Sequence, residues 1–337
     1  MMMRQLWVDY AKGFGIILVV FGHVNRGLFN AGVSINTELY HSLDNIIYSF
    51  HMPLFFFLSG LFFIESISGK SKKKFISGKF KSIFYPYAVW SILQGCIEVI
   101  LSNYTNSKTT LLSVLSFPFH PRAQFWFLYA LLLIFILSCI IYNKYFTKHI
   151  PFILVLSFLA YIYGEKIISV YYINYIFDNS VFFFLGCLVY KYTNLLKSLL
   201  NLNSFFILTC VFILVEYLYF IRLGNNYFAL NLYTAAIAIV GIFWISNLSI
   251  VLSRYDISWL SLLGRQSIII FLVHILASSG VRIVLTKFLH IDNWYFNISV
   301  GTIAGIILPL VFYHLAMRLK MQFLFVYPSS KTSNSLK

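Results

Sequence analysis

Ten apolar runs recur along the chain, at roughly 6–28, 43–65, 83–102, 124–142, 151–164, 176–190, 204–222, 228–247, 266–288 and 295–317. A helix needs about 20 apolar residues to cross the hydrocarbon core of a bilayer. Polar positions inside the runs fall at helical rather than alternating intervals, which argues against a β-barrel. The fifth and sixth runs are short, so tilt, a break or a merger is expected there. The pattern predicts an all-α fold, a polytopic membrane helix bundle of about ten transmembrane helices. One integral-membrane domain fills residues 1–320, and a short tail at 321–337, polar from Ser329 onward, is expected to be disordered. The first run carries His23 and lacks a small-residue exit, so it reads as a retained helix rather than a cleaved signal. No internal repeat is visible that would mark inverted halves.

Composition agrees with the pattern. Hydrophobic residues make up 60% of the chain and charged residues 10%, the reverse of a soluble domain's balance. With the N-terminus inside and ten crossings, 18 of the 25 lysines and arginines fall on the cytoplasmic side. That set includes Arg4, Lys12, Lys197, Lys331, Lys337 and six lysines within residues 70–81. The outer seven are Arg26, Lys108, Arg122, Lys166, Arg222, Arg282 and Lys287. This asymmetry places both termini in the cytoplasm. It also accounts for most of the net charge of +15 without invoking nucleic acid. Cys96, Cys139, Cys187 and Cys210 fall singly in separate runs, so buried, reduced thiols are expected, with no metal. No phosphate-binding glycine loop, helix-borne metal motif or nucleophile elbow appears.

Ionisable side chains at membrane depth are costly and mark functional candidates. Asp9, Lys12 and His23 share the first run. Eleven steps of 100° bring Lys12 and His23 within about 20° on one helix face, roughly 16 Å apart along the axis. His51 in the returning second run reaches a similar depth, where two imidazoles can form a polar centre or serve as packing glue. Pro53 frees a backbone carbonyl and Gly60 shapes the same helix. The six lysines of residues 70–81 are denser than topology requires, and suit either anionic head groups or the phosphates of a soluble cofactor. Lys79 and Lys81, nearest the entrance at Tyr85-Pro86, are the nearer contacts. Arg122 and Trp126 stand at the outer mouth of the fourth run, as lining for a hydroxyl-rich ligand or as interfacial anchors. His274 is another intramembrane histidine, and Glu98 and Glu216 are carboxylates without an evident partner.

At these residues the chain resembles the integral-membrane acyltransferase-three family, bacterial enzymes that O-acetylate cell-surface polysaccharides, in the branch typified by fucose 4-O-acetylases. The resemblance rests on Asp9-x-x-Lys12-Gly13 followed by Gly22-His23, and on Ser49-Phe50-His51-Met52-Pro53 with Phe57-Leu58-Ser59-Gly60. It extends to Tyr85-Pro86-Tyr87, to Phe125-Trp126-Phe127-Leu128, and to Ser267 with Phe271-Leu272-Val273-His274. It implies acetyl-CoA as the donor on the cytoplasmic side. The acceptor it implies is a hydroxyl of a lipid-linked or exported glycan, such as O-antigen lipopolysaccharide or capsule, at a bacterial inner membrane. It assigns His23 as the catalytic histidine with Lys12, Asp9 and His51 around it. Donor contacts fall to Lys79, Lys81, Lys12 and Ser59, and acceptor contacts to Arg122, Trp126 and His274. Lys12 stands where many members carry arginine, and lysine lacks arginine's planar fork. Lys79 and Lys81 likewise replace paired arginines.

The expected reaction sets CoA phosphates on the lysine loop, runs the pantetheine arm up the first helix, and uses His23 as general base on the acceptor hydroxyl. Asp9 then pairs with Lys12 or Arg4. Direct transfer and an acetyl-histidine intermediate both fit. A carrier or flippase for a lipid-linked sugar or small solute is the alternative, and a non-catalytic scaffold leaves the aligned ionisable residues unexplained. Oligomeric state is not legible.

Overall fold

The structure, a computed structural model, describes residues 5–104, 106, 108–168, 170–193 and 198–328. Arg4, Lys197, Lys331, Lys337 and the tail from Ser329 lie outside the described residues. The main helices are α1 (Leu6–Asn30), α2 (Thr37–Leu61), α3 (Lys72–Ile100), α4 (Trp126–Ile141), α5 (Phe146–Ile167) and α6 (Tyr171–Lys191). They continue as α7 (Leu202–Glu216), α8 (Leu232–Leu252), α9 (Ser258–Arg265), α10 (Ser267–Ile283) and α11 (Trp294–Arg318). Nine of these described helices are long and apolar enough to cross a membrane; α2 and α9 are the exceptions. The fold is an all-α polytopic bundle.

The second predicted span falls on α2, whose 25 residues suffice in length. Its buried Asp44, Ser49 and His51 make it more polar than the others, because it lines the interior. The two short runs become full helices, α5 with 22 residues and α6 with 21. Polar residues near their ends, such as Lys148, Glu165 and Asn174, conceal that length in the sequence. Wide π-turns extend α7 through Tyr217–Arg222 and α10 through Val284–Phe288. A third interrupts α3 at Phe80–Phe84. There Pro86 supplies no amide to the Ser82 carbonyl, and a wide turn absorbs the irregularity.

Helix α1 is the axis of the bundle, packed against α2, α8, α9, α10 and α11. Helices α5, α7 and α11 are the least buried and turn most of their apolar surface outward. Helix–helix association in lipid relies on close packing over small residues rather than on a hydrophobic gradient. Accordingly α2 and α6 cross where Gly60 meets the Phe183 carbonyl and Gly186 meets the Phe57 carbonyl. Gly264 of α9 lies in the same way on the Asp9 backbone of α1. A methyl at any of these three positions would strike main chain.

The expected disorder of the tail does not begin at 321. Gln322–Leu324 form a 3-10 turn beneath α3, where the Trp90 indole N–H donates to the Leu324 carbonyl at 2.8 Å. Leu324 and Phe325 are buried, which explains why this stretch packs instead of fraying.

Hydrogen bonds between distant segments sort the helix ends into two groups. At one end the Tyr10 hydroxyl donates to the Tyr255 carbonyl at 2.7 Å, and the Lys72 ammonium to the Ile140 carbonyl at 2.7 Å. At the other, the Asn106 amide donates to the Gly27 carbonyl at 3.0 Å, and Arg26 reaches Asp44 and Tyr227. The ends that meet are those that ten alternating crossings bring to one side.

Candidate active site

His23 lies about two-thirds of the way along α1, half-buried in the bundle. Its ring centroid is 5.2 Å from that of His274 on α10 and 6.2 Å from that of Tyr48 on α2. His274 is fully buried; its Nδ1 faces the Phe271 carbonyl at 2.8 Å and the Ile270 carbonyl at 3.1 Å. A carbonyl accepts only, so Nδ1 carries the hydrogen and Nε2 the lone pair. That Nε2 is buried and has no hydrogen-bond partner. His51 is fixed by the same logic, its Nδ1 donating to the Ile47 carbonyl at 2.6 Å. It is separated from His23 by Tyr48, whose ring packs edge-on to His51 at 4.6 Å. The imidazole that shares a contact with His23 is thus His274, whereas the sequence expectation paired His23 with His51.

One turn beyond His23, Arg26 is held from three sides. Its Nε and Nη2 donate to the two Asp44 oxygens at 2.6 and 2.8 Å, and Nη2 also donates to the Tyr227 hydroxyl. Its guanidinium lies 3.3 Å over the Tyr48 ring centroid. This fork-and-stack arrangement needs arginine's planarity. Arg26, Tyr48 and Tyr227 wall a cavity of about 400 Å³, together with Trp126, Tyr161, Asp178 and Asn179. Trp126 stacks on Tyr175 at 5.8 Å, and Asp178 has a buried oxygen without a partner. Neither Arg26, Asp44 nor Tyr227 was singled out from sequence. An arginine three residues after an intramembrane histidine was the available signal.

The lysine loop forms a cleft of about 440 Å³ lined by Lys70, Lys74, Lys79 and Lys81. Lys79 lies 3.8 Å over the Phe135 ring and Lys81 5.2 Å over Tyr327, which leaves both ammonium groups beside the cleft. Lys12 approaches the Phe62 ring at 5.9 Å and, with Lys70, stands close enough to Lys79 for their charges to interact. Lys12 therefore belongs with the cleft. Asp9 is buried at the foot of α1. Ser59 donates its hydroxyl to the Phe55 carbonyl at 2.8 Å, bonding back to its own helix.

Arg122 and Trp126, expected at one mouth, face different cavities. Arg122 lines a third space of about 450 Å³ with Glu98, Asn106 and Arg282. It donates to Glu98 at 2.7 Å, which supplies the partner missing from the sequence reading. Glu216 accepts from the Ser49 hydroxyl at 2.8 Å. Of the cysteines, all unpaired, Cys139 and Cys187 are buried while Cys210 is exposed, contrary to the uniform burial expected. Among the described residues no three His, Cys, Asp or Glu side chains converge to hold a metal ion.

Membrane-length helices around a pair of neighbouring histidines, with lysines gathered at one end, define a multi-pass membrane protein. Residues 5–314 match the family described as "Acyltransferase domain", acyltransferase family three, and the chain belongs to it. It is a membrane acyltransferase. The chain is similar to nodulation protein NolL of Sinorhizobium fredii, 27% identical over 143 residues, which are 40% of this chain and 36% of the relative. The same-named protein of Mesorhizobium japonicum is 30% identical over 134 residues, 40% of this chain and 35% of the relative. The match thus spans about a third of these relatives' length. No solved structure matches.

Proposed function

We propose that this chain transfers an acetyl group from cytoplasmic acetyl-CoA to a hydroxyl of a cell-surface or lipid-linked polysaccharide sugar, in a bacterial inner membrane, with His23 as general base. The observation that carries the reading is His23 itself, half-buried between the His274 lone pair and a cavity wall. A neutral His23 that turns its N–H toward His274 Nε2 keeps its other nitrogen free to accept a proton. The Tyr48 side opens on the aromatic cavity, whose volume of about 400 Å³ falls within the range of small-ligand sites. That cavity receives the acceptor sugar, with Trp126 as a stacking face and Arg26 as a fixed cation for the developing oxyanion.

The donor's phosphates rest on Lys74, Lys79 and Lys81, and Lys12 continues the positive path onto α1. His23 removes the acceptor's hydroxyl proton as the oxygen bonds to the thioester carbonyl carbon. The carbon–sulfur bond then breaks, and the departing thiolate takes the proton from the imidazolium. The two substrates approach from opposite ends, so the acetyl group passes outward and the acceptor's hydroxyl proton passes inward to the thiolate. Family membership favours this over a carrier.

Membranes containing the protein, given labelled acetyl-CoA, test the reading. His23→Ala should lower label transfer to glycan by about 10²–10⁴-fold, the usual contribution of a positioned base. Undiminished transfer at equal protein level removes His23 from the mechanism. Loss of the O-acetyl signal from surface glycan in cells lacking the gene identifies the acceptor.

A further inference from the structure

The third cavity plays no part in that mechanism, and its charges do not balance. Arg282 is 7% exposed, deep at the far end of α10. Its Nη1 donates to the neutral Asn106 amide oxygen at 2.7 Å, and its Nε is buried with no partner. The cavity's one carboxylate, Glu98, is already bonded to Arg122 at 2.7 Å. Two guanidinium groups therefore face one carboxylate. A buried cation left without a counter-charge is strongly unfavourable. Asn106 offers a dipole and cannot neutralise it.

Apart from the Thr109 and Ser279 hydroxyls, the rest of the lining is apolar, with Ile97 on α3 and Ile275, Leu276 and Ile283 along α10. An apolar helix face beside two arginines suits an amphiphile with an anionic head. Arginine also matches phosphate oxygens in fixed fork geometry.

We propose that this cavity binds the phosphate or diphosphate head of a membrane-embedded lipid, with Arg282 and Arg122 on the head and the α10 face along the tail. Under the function proposed above, this lipid is the carrier of the acceptor sugar. That identification rests on the reading above; the binding site does not.

Binding to the full-length protein in detergent tests it, with farnesyl diphosphate, inorganic pyrophosphate and farnesol as probes. Farnesyl diphosphate should bind more tightly than farnesol. Arg282→Gln should weaken it by about tenfold or more, the size of one lost charge-assisted hydrogen bond. Glu98→Gln, which leaves both cations unopposed, should tighten it. This second variant keeps the test decisive if Arg282→Gln does not fold. Pyrophosphate binding as well as farnesyl diphosphate, with the same dependence on Arg282, supports the anion site with a soluble source. Farnesyl diphosphate binding no better than farnesol overturns the proposal. So does an affinity untouched by either substitution, which would place the diphosphate on the lysine cleft. Because the readout is binding, acetyl transfer can persist while this proposal fails, and the reverse.

Discussion

The imidazole pair sets a clear expectation for the role of His274. Its hydrogen on Nδ1 is committed to two backbone carbonyls, so it presents a lone pair and cannot itself deliver that proton to substrate. In the proposed mechanism it acts through His23, fixing which nitrogen of that ring is free. His274→Ala should therefore lower kcat by about 10–100-fold, as loss of a supporting partner does elsewhere, with KM for acetyl-CoA unchanged. Steady-state kinetics on purified protein separates this from general damage, which would move KM and protein yield together. The His23–Lys12 alignment was legible because helix geometry alone fixes it, but the partnership with His274 was not. Those two histidines stand on α1 and α10, and no local pattern tells which helices will meet. The Arg26 clamp was hidden for the same reason, its partners Asp44 and Tyr227 lying on α2 and in the loop before α8.

At the scale of elements, hydrophobic runs revealed the long helices because lipid exposure demands continuous apolar surface. They understated α2, α5 and α6, where polar residues face the interior or the ends. The eight-residue α9 was missed altogether, being too short to register as a span, although it packs closely on α1. What the sequence could not show is which glycines are contact points. Gly60 and Gly186 hold α2 and α6 together backbone to backbone, whereas a Cβ at Gly78 in α3 meets nothing within 4 Å. Gly60→Ala should thus destabilise the protein by about 1–3 kcal/mol, the usual cost of overpacking a filled interface. Gly78→Ala should be neutral or stabilise by about 0.5–1 kcal/mol through helix propensity. Thermal unfolding in detergent compares the two. Equal shifts would mean that the α2–α6 crossing is looser than described.

Over the whole molecule, the bonds between distant segments and the distribution of charge make separate statements about orientation. Tyr10 with Tyr255, and Lys72 with Ile140, group one set of helix ends. Arg26 with Asp44 and Tyr227, and Asn106 with Gly27, group the other. This pairing requires α2 to cross along with the nine more apolar helices, since Asp44 near its start meets the far end of α1 while Phe62, just past its end, meets Lys12 near the foot of α1. Geometry is symmetric about the membrane plane, however, and only the lysine cleft breaks that symmetry. Lys70, Lys74, Lys79 and Lys81 gather at the Tyr10 end, which the positive-inside tendency assigns to the cytoplasm. In a cysteine-free variant, a single cysteine at Lys73 should resist a membrane-impermeant thiol reagent in intact cells and react after permeabilisation. A cysteine at Asn226, in the loop that supplies Tyr227, should react in both. The reverse pattern would put the lysine cleft outside, and the cytoplasmic acetyl-CoA proposed as donor would then have no basic site on its own side. Reaction at both positions in intact cells would instead mean that one of the five helices between them, α3 to α7, does not cross, which would part Trp126, Tyr161 and Asp178 from Arg26 and dismantle the cavity beside His23.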